Sequence, residues 1–309
     1  MRCVFAGTPD VAAVALRSIL NSPHEVVAVI TRPDSRTGRG QNLVPSAVAA
    51  MAHEEGIPVL TPIDLNDCDF EMQLRALEPD CCPVVAYGAL VPPTLLGVPL
   101  HGWVNLHFSL LPAWRGAAPV QWAVLAGDVM TGATTFSLEA GLDTGPIFGT
   151  VTEPIGDLDT SGALLERLAG AGGGLLVATL DALSTNSIKA LPQRNFDISY
   201  APKLSGDDAR IRWTDPWVGV DRRIRATTPN PGAWTLADGE RIKLGPLCSE
   251  QIVTDISLPP GQLALVDGAA LVGTATRPAR LDFVQPAGKK LMPAGDWIRG
   301  LRAQLPRFE

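Results

Sequence analysis

Short β-rich apolar runs alternate with amphipathic stretches at the start of the chain: Arg2 to Ala6, Val11 to Leu20, Val26 to Thr31 and Ala47 to Glu55. This βαβα rhythm calls for a parallel sheet, because each crossover helix returns the chain to the same edge before the next strand begins. The turn after the first strand, Ala6-Gly7-Thr8-Pro9-Asp10, holds one glycine and a proline where a dinucleotide fold carries three spaced glycines. A nicotinamide site is therefore not expected. The turn should still face a ligand, since sites in open α/β sheets lie outside the carboxyl ends of the strands.

At 309 residues and 46% hydrophobic composition the chain is long enough for two domains. The four-residue apolar run near the N-terminus, Cys3 to Ala6, is too short for a signal peptide, and no apolar run approaches the roughly 18 residues of a membrane span. The expectation is a soluble, cytoplasmic protein without membrane contact. Five cysteines, Cys3, Cys68, Cys81, Cys82 and Cys248, lack zinc-like spacing, and their odd number argues against a disulfide framework. His24, His53, His101 and His107 show no paired ligand spacing, so no metal is expected.

Net charge is −7, which by itself argues against a nucleic-acid partner. It is unevenly divided: residues 1–189 hold 9 basic and 19 acidic side chains, residues 190–309 hold 16 and 13. Phosphate attraction depends on local potential, so the second part can contact RNA on an otherwise acidic body.

A polar, glycine-punctuated loop runs from Arg32 to Pro45 and includes Arg36 and Arg39; a loop of that length in a compact domain is commonly functional. Pro83 to Gly88 and Gly102 to His107 read as buried strands whose ends meet at one sheet edge. Thr160 to Leu183 is helical in pattern but holds Gly170, Gly172, Gly173 and Gly174, so two helices or a broken one are expected. Periodicity lapses over residues 190–205. Beyond it lie a helix-like stretch, Pro216 to Ala226, and short strands over Gly232–Leu236, Ile242–Leu244, Gln262–Val266 and Arg280–Val284. The expected class is α/β: a Rossmann-like, mostly parallel sheet flanked by helices over residues 1–189, a linker over 190–205, and a small OB-like β-barrel over 206–309.

Chemistry concentrates in Asn105 to Pro119. Asn105 and His107 are two apart on a strand, so both side chains leave the same face and can converge on one atom. Leu110, Leu111 and Pro112 then supply an apolar wall and a rigid turn, suited to a flat heterocycle. Gly141-Leu142-Asp143-Thr144-Gly145 places one carboxylate between glycines, where it can bond a histidine or relay a proton.

These motifs resemble the 10-formyltetrahydrofolate-dependent transferase and hydrolase family over essentially the whole chain. The resemblance rests on Phe5-Ala6-Gly7-Thr8-Pro9, Gly38-Arg39-Gly40, Ala86-Tyr87-Gly88, Asn105-Leu106-His107 with Ser109-Leu110-Leu111-Pro112, and Gly141 to Gly145. Arg115-Gly116-Ala117-Ala118-Pro119 and Gln285-Pro286-Ala287-Gly288-Lys289-Lys290 resemble the branch that formylates methionine on initiator tRNA. By that resemblance Asn105 and His107 polarise the formyl oxygen and Asp143 sets the charge of His107 and relays protons. The folate co-substrate lies against Ser109, Leu110, Leu111, Pro112, Ala86, Tyr87, Gly88, Leu90, Val91 and Gly141. Charged tRNA meets Arg36, Arg39, Lys203, Arg210, Lys289 and Lys290, and the expected working state is a monomer. Phe108 stands where the family usually has glycine, and Gln41 and Asn42 where lysines are common. Formylation of glycinamide ribonucleotide or an amino sugar, and hydrolysis of the folate, use the same three polar residues. A non-catalytic RNA-binding or one-carbon sensor protein on this fold has no use for all three together.

Overall fold

The computed structural model describes residues 1–37, 42–248, 256–301 and 305–309. Their contacts divide into two compact units: Met1–Gly116, Met130–Pro154 and Leu165–Tyr200 in the first, Ala117–Val129, Ile155–Leu164 and Ala201–Glu309 in the second.

The first unit follows the alternation in the sequence. It runs β1 (Arg2–Gly7), α1 (Asp10–Leu20), β2 (Glu25–Ile30), a hairpin of β3 (Ser35–Thr37) and β4 (Asn42–Val44), α2 (Ala47–Glu54), β5 (Val59–Leu60), α3 (Cys68–Ala76), β6 (Cys82–Val85), α4 (Pro93–Leu96) and β7 (Trp103–His107). After α5 (Pro119–Ala126), which falls in the second unit, come β8 (Met130–Ser137), β9 (Ile147–Pro154) and α6 (Ser161–Ser184). The sheet order is β5-β2-β1-β6-β7-β8-β9, with the first five strands parallel and the last two antiparallel.

Helices bury one stripe each: α1 turns Ala12, Ala13, Ala15, Leu16 and Ile19 inward, at the 3.6-residue period. The Ser46 hydroxyl caps α2 by accepting from Ala49 N at 3.0 Å, and Asp67 caps α3 at Asp69 N, also at 3.0 Å. The strands beneath are buried on both faces, as Cys3, Val4, Phe5 and Ala6 are in β1. Burial pushes the Cys3 thiol up to about 12 and raises Cys81 and Cys82 well above the ordinary range, so all three stay protonated core fillers.

β6 stops at Val85 rather than running to Gly88, because Ala86 takes a left-handed φ of 46° and turns the chain at the sheet edge. Helix α6 is continuous through its glycines. A Cβ on Gly172 would meet Leu106 Cδ2 at 3.0 Å, and one on Gly173 would meet Ser18 Oγ at 2.4 Å. Close packing on β7 and α1 thus outweighs the roughly 1 kcal/mol per residue that helical glycine costs. This helix is also long and apolar enough by composition to cross a membrane, although Glu166, Arg167 and Asp181 interrupt the run. Its contact with Leu106 marks it as a covering helix of the sheet.

The second unit continues with α7 (Trp217–Ala226), β10 (Trp234–Ala237), β11 (Glu240–Leu244), β12 (Leu263–Val266), β13 (Ala269–Val272), β14 (Ala279–Leu281), β15 (Phe283–Pro286), β16 (Met292–Pro293) and α8 (Ala294–Gly300). Two antiparallel sheets, β10-β11-β15-β16 and β12-β13-β14, share one core in which Ile242, Leu263, Val272, Leu281 and Val284 meet Trp213, Ile224 and Ile298. The expected single strand Arg280–Val284 is two strands: at Asp282 the chain leaves β13 and joins β11. Within α7 the buried Arg225 donates to Asp221 at 2.7 Å and to the Asp159 carbonyl at 3.1 Å.

Candidate active site

Strand direction determines what meets at the sheet edge. Parallel strands β1, β6 and β7 end side by side, at Gly7, Val85 and His107. The antiparallel β8 places Phe136 opposite Asn105 and Thr134 opposite His107. Two-residue alternation puts Asn105 and His107 on one face, Asn105 half-buried and His107 6% exposed.

The imidazole is held from several sides. Its Nε2 lies 2.9 Å from the Trp114 carbonyl, which can only accept, so Nε2 carries a proton. The Phe136 ring packs edge-on, with centroids 6.4 Å apart and planes at 82°. On its other side Nδ1 faces Asp143 Oδ2 at 3.8 Å. Burial pushes the His107 pKa below its ordinary value, against the opposing pull of the Asp143 carboxylate and of the Trp114 carbonyl.

Asp143 is positioned by its backbone. Its φ of 52° lies in the left-handed region, and Oδ2 accepts from Gly116 N at 2.7 Å. The loop is tightened at Gly145, where a Cβ would stand 1.8 Å from the Ser137 carbonyl oxygen, so only glycine passes. The segment after His107 is as constrained. Ser109 Oγ donates to the Ala113 carbonyl at 2.6 Å, the Leu111–Pro112 peptide is cis, and Trp114 turns at φ 60°. Phe108 is buried and lies outside the left-handed region, so this position has no conformational need for glycine.

Leu111 and Pro112 are buried and Leu110 half-buried, so the wall is largely covered. Across the edge, Ala86 and Gly88 are exposed, Leu90 is 77% exposed and Val91 half-buried. The Tyr87 ring turns inward among Leu65, Phe70 and Leu95, and its carbonyl accepts from Thr8 Oγ1 at 3.0 Å. Gly141 is exposed at the mouth of the carboxylate loop.

Comparison with known proteins decides the family. Residues 1–180 match the formyl transferase family model, and residues 203–302 match the model of the formyl transferase C-terminal domain. The methionyl-tRNA formyltransferase of Thermobifida fusca is 60% identical over 302 residues, covering 98% of this chain and 97% of the relative. That of Salinispora arenicola is 57% identical over the same length, with the same coverage.

The chain belongs to the methionyl-tRNA formyltransferase family.

Among solved structures, HypX from Aquifex aeolicus in complex with tetrahydrofolic acid shares the fold at TM-score 0.68 and 17% identity, covering 100% of this chain and 51% of that one. A sugar 3N-formyl transferase, WlaRD, does so at TM-score 0.64 and 18% identity, covering 94% and 99%. At such identities the likeness is one of fold.

Within the family frame, the structure brings together Asn105, His107, Ser109 to Pro112 and Asp143. Arg36 lies on β3, opposite Leu43 of β4, and Arg39 lies outside the described residues. Lys203, Arg210, Lys289 and Lys290 are exposed in the second unit, Arg210 lying over the Trp234 ring at 5.7 Å. Three residues with no motif of their own also brace the candidate site: Thr134, Gln193 and Ser199. Thr134 is fully buried on β8. Ser199 Oγ accepts from Trp114 N at 2.9 Å, and Gln193 bonds to both Arg115 and the Asp143 loop.

Proposed function

We propose that this formyltransferase moves the formyl group of 10-formyltetrahydrofolate to the α-amino group of methionine on initiator tRNA, with Asn105, His107 and Asp143 carrying the step. The observation that supports it is the histidine whose Nε2 is committed to Trp114 and whose Nδ1 faces Asp143, two residues beyond an asparagine on the same strand face.

The chemistry follows from what those atoms can do. The neutral amine attacks the formyl carbon, a C–N bond forms, and the carbonyl oxygen gathers negative charge. Asn105 can donate to that oxygen through its side-chain amide, and His107 through Nδ1 once that nitrogen is protonated. Burial, the larger effect, favours the neutral ring, while Asp143 favours the protonated one. The attacking nitrogen then sheds a proton and the departing folate nitrogen gains one as the second C–N bond breaks. At 3.8 Å the carboxylate and the imidazole need close by only about 1 Å to exchange a proton, a tightening common when substrate binds.

In this reading residues 1–189 perform the reaction, 190–205 join the domains, and 206–309 contact tRNA through Arg210, Lys289 and Lys290, with Lys203 of the linker beside them and Arg36 and Arg39 at the acceptor end. The folate lies against Ser109 to Pro112 and the Ala86 to Val91 edge. The enzyme works as a cytoplasmic monomer.

The test is a formylation assay with 10-formyltetrahydrofolate and methionine-charged initiator tRNA, run beside glycinamide ribonucleotide and an amino-sugar nucleotide. Transfer to the charged tRNA alone is the expected result. Transfer to a small acceptor, or only to water, would overturn the acceptor assignment and keep the reaction class.

A further inference from the structure

The stretch after α6 has no helix or strand of its own, yet it is tied to the site residue by residue. Leu191 and Ile147 exchange backbone hydrogen bonds of 2.8 and 2.7 Å. Further on, Arg115 N donates to the Ser199 carbonyl at 2.9 Å. Between these anchors the half-buried Gln193 side chain uses every hydrogen-bonding position it has. Its Nε2 donates to the Asp143 carbonyl at 2.7 Å and to the Gly145 carbonyl at 2.8 Å. Its Oε1 accepts from Arg115 Nη2 at 2.6 Å and Nε at 3.2 Å.

The two loops so joined are the two that set the carboxylate. Asp143 stands on one, and the other supplies Gly116 N, the donor that holds its Oδ2. Neither loop is regular structure, and Asp143 has left-handed backbone, so local preference alone does not fix its place. Arg115 is only 7% exposed, and the Gln193 oxygen gives its guanidinium two of its hydrogen bonds. We propose that Gln193 is a positioning residue for formyl transfer: it bolts the Asp143 loop to the Arg115–Gly116 loop and so sets the distance between Asp143 and His107. This rests on the role given to Asp143 above.

Two substitutions separate its donors from its acceptor. Gln193→Glu keeps an acceptor for Arg115 but removes both donors, and sets a carboxylate against two carbonyl oxygens. Gln193→Ala removes all four bonds. For both, kcat should fall about tenfold or more, the size of loss that follows from a misplaced catalytic group, with the KM for 10-formyltetrahydrofolate changed less than about twofold. The deciding measurement is single-turnover transfer, with enzyme in excess, for Asp143→Asn, Gln193→Glu and the double variant. If Gln193 acts through Asp143, the double variant is no slower than Asp143→Asn. A loss that multiplies in the double variant, or near-normal kcat for Gln193→Glu beside a crippled Asp143→Asn, overturns this proposal and leaves the site reading intact. Near-normal turnover of Asp143→Asn overturns the site reading and this proposal with it.

Discussion

The Thr134 hydroxyl donates to the Ser109 carbonyl at 2.6 Å and accepts from Leu111 N at 3.3 Å, pinning the turn after β7 to the middle of β8. Both bonds are buried, so Thr134→Val keeps the shape and leaves a carbonyl and an amide without partners. Unsatisfied buried groups of this kind cost about 1–3 kcal/mol each. The expected outcome is a lowered urea midpoint and a raised KM for the folate donor, because the wall of Leu110 to Pro112 loses its anchor. A midpoint and KM equal to those of the unaltered enzyme would remove Thr134 from that role.

Asp143→Asn retains an oxygen that can accept from Gly116 N, so the loop keeps its anchor while the charge facing His107 disappears. Transfer should fall by about 10²–10⁴, the range typical of acid–base groups. Folate affinity, read by equilibrium titration, should stay near normal. An equal loss in both would mean that the carboxylate builds the pocket rather than moving the proton.

His24 and His107 both have pKa values lowered in the folded protein, with burial the leading cause in each. The N-terminal amine adds to the lowering at His24, while Asp181 opposes it. A depressed pKa means that the unfolded chain binds more protons between the folded value and the ordinary 6.5, so stability is lost as pH falls through that window. Above 6.5 these groups contribute no slope. Urea midpoints taken from pH 7.5 down to 5.5 should therefore decline below 6.5, and His24→Gln should flatten the decline. An unchanged slope in that variant would assign the effect to other groups.

Lys289 and Lys290 sit on a turn that Gln285 closes by donating to the Lys289 carbonyl at 3.0 Å, with Gly288 at φ 71°. If this turn meets tRNA phosphates, each lysine exchanged for alanine should reduce the salt dependence of tRNA binding by about one unit in a log–log plot. Affinity measured from 50 to 200 mM salt gives the slope. Identical slopes would take the turn out of the RNA contact.

Much of the candidate site's geometry is legible along the chain because it is local. Asn105 and His107 share a face through strand alternation alone, and the glycines around Asp143 mark a tight loop. The first helices showed themselves through one-sided apolar stripes. Helix α5 did not, since Pro119 to Ala126 is apolar nearly all round and its period is hidden. The α6 glycines read as breaks because propensity is a property of neighbours in sequence, whereas Leu106 and Ser18 come from other elements. Gln193 gave no signal at all: its partners lie 78, 50 and 48 positions away, in a stretch with no periodicity of its own.

That separation has a consequence for the order in which the enzyme comes into being. Strands β1 to β9, with His107 and Asp143 among them or between them, have all been synthesised once Pro154 is added. The Gln193 side chain, which bonds Arg115 on one loop and the Asp143 and Gly145 carbonyls on the other, is added only later. A nascent chain caught between those points already holds Asn105, His107 and Asp143 but lacks the Gln193 bonds across the two loops, and the last stretch of the first unit supplies them.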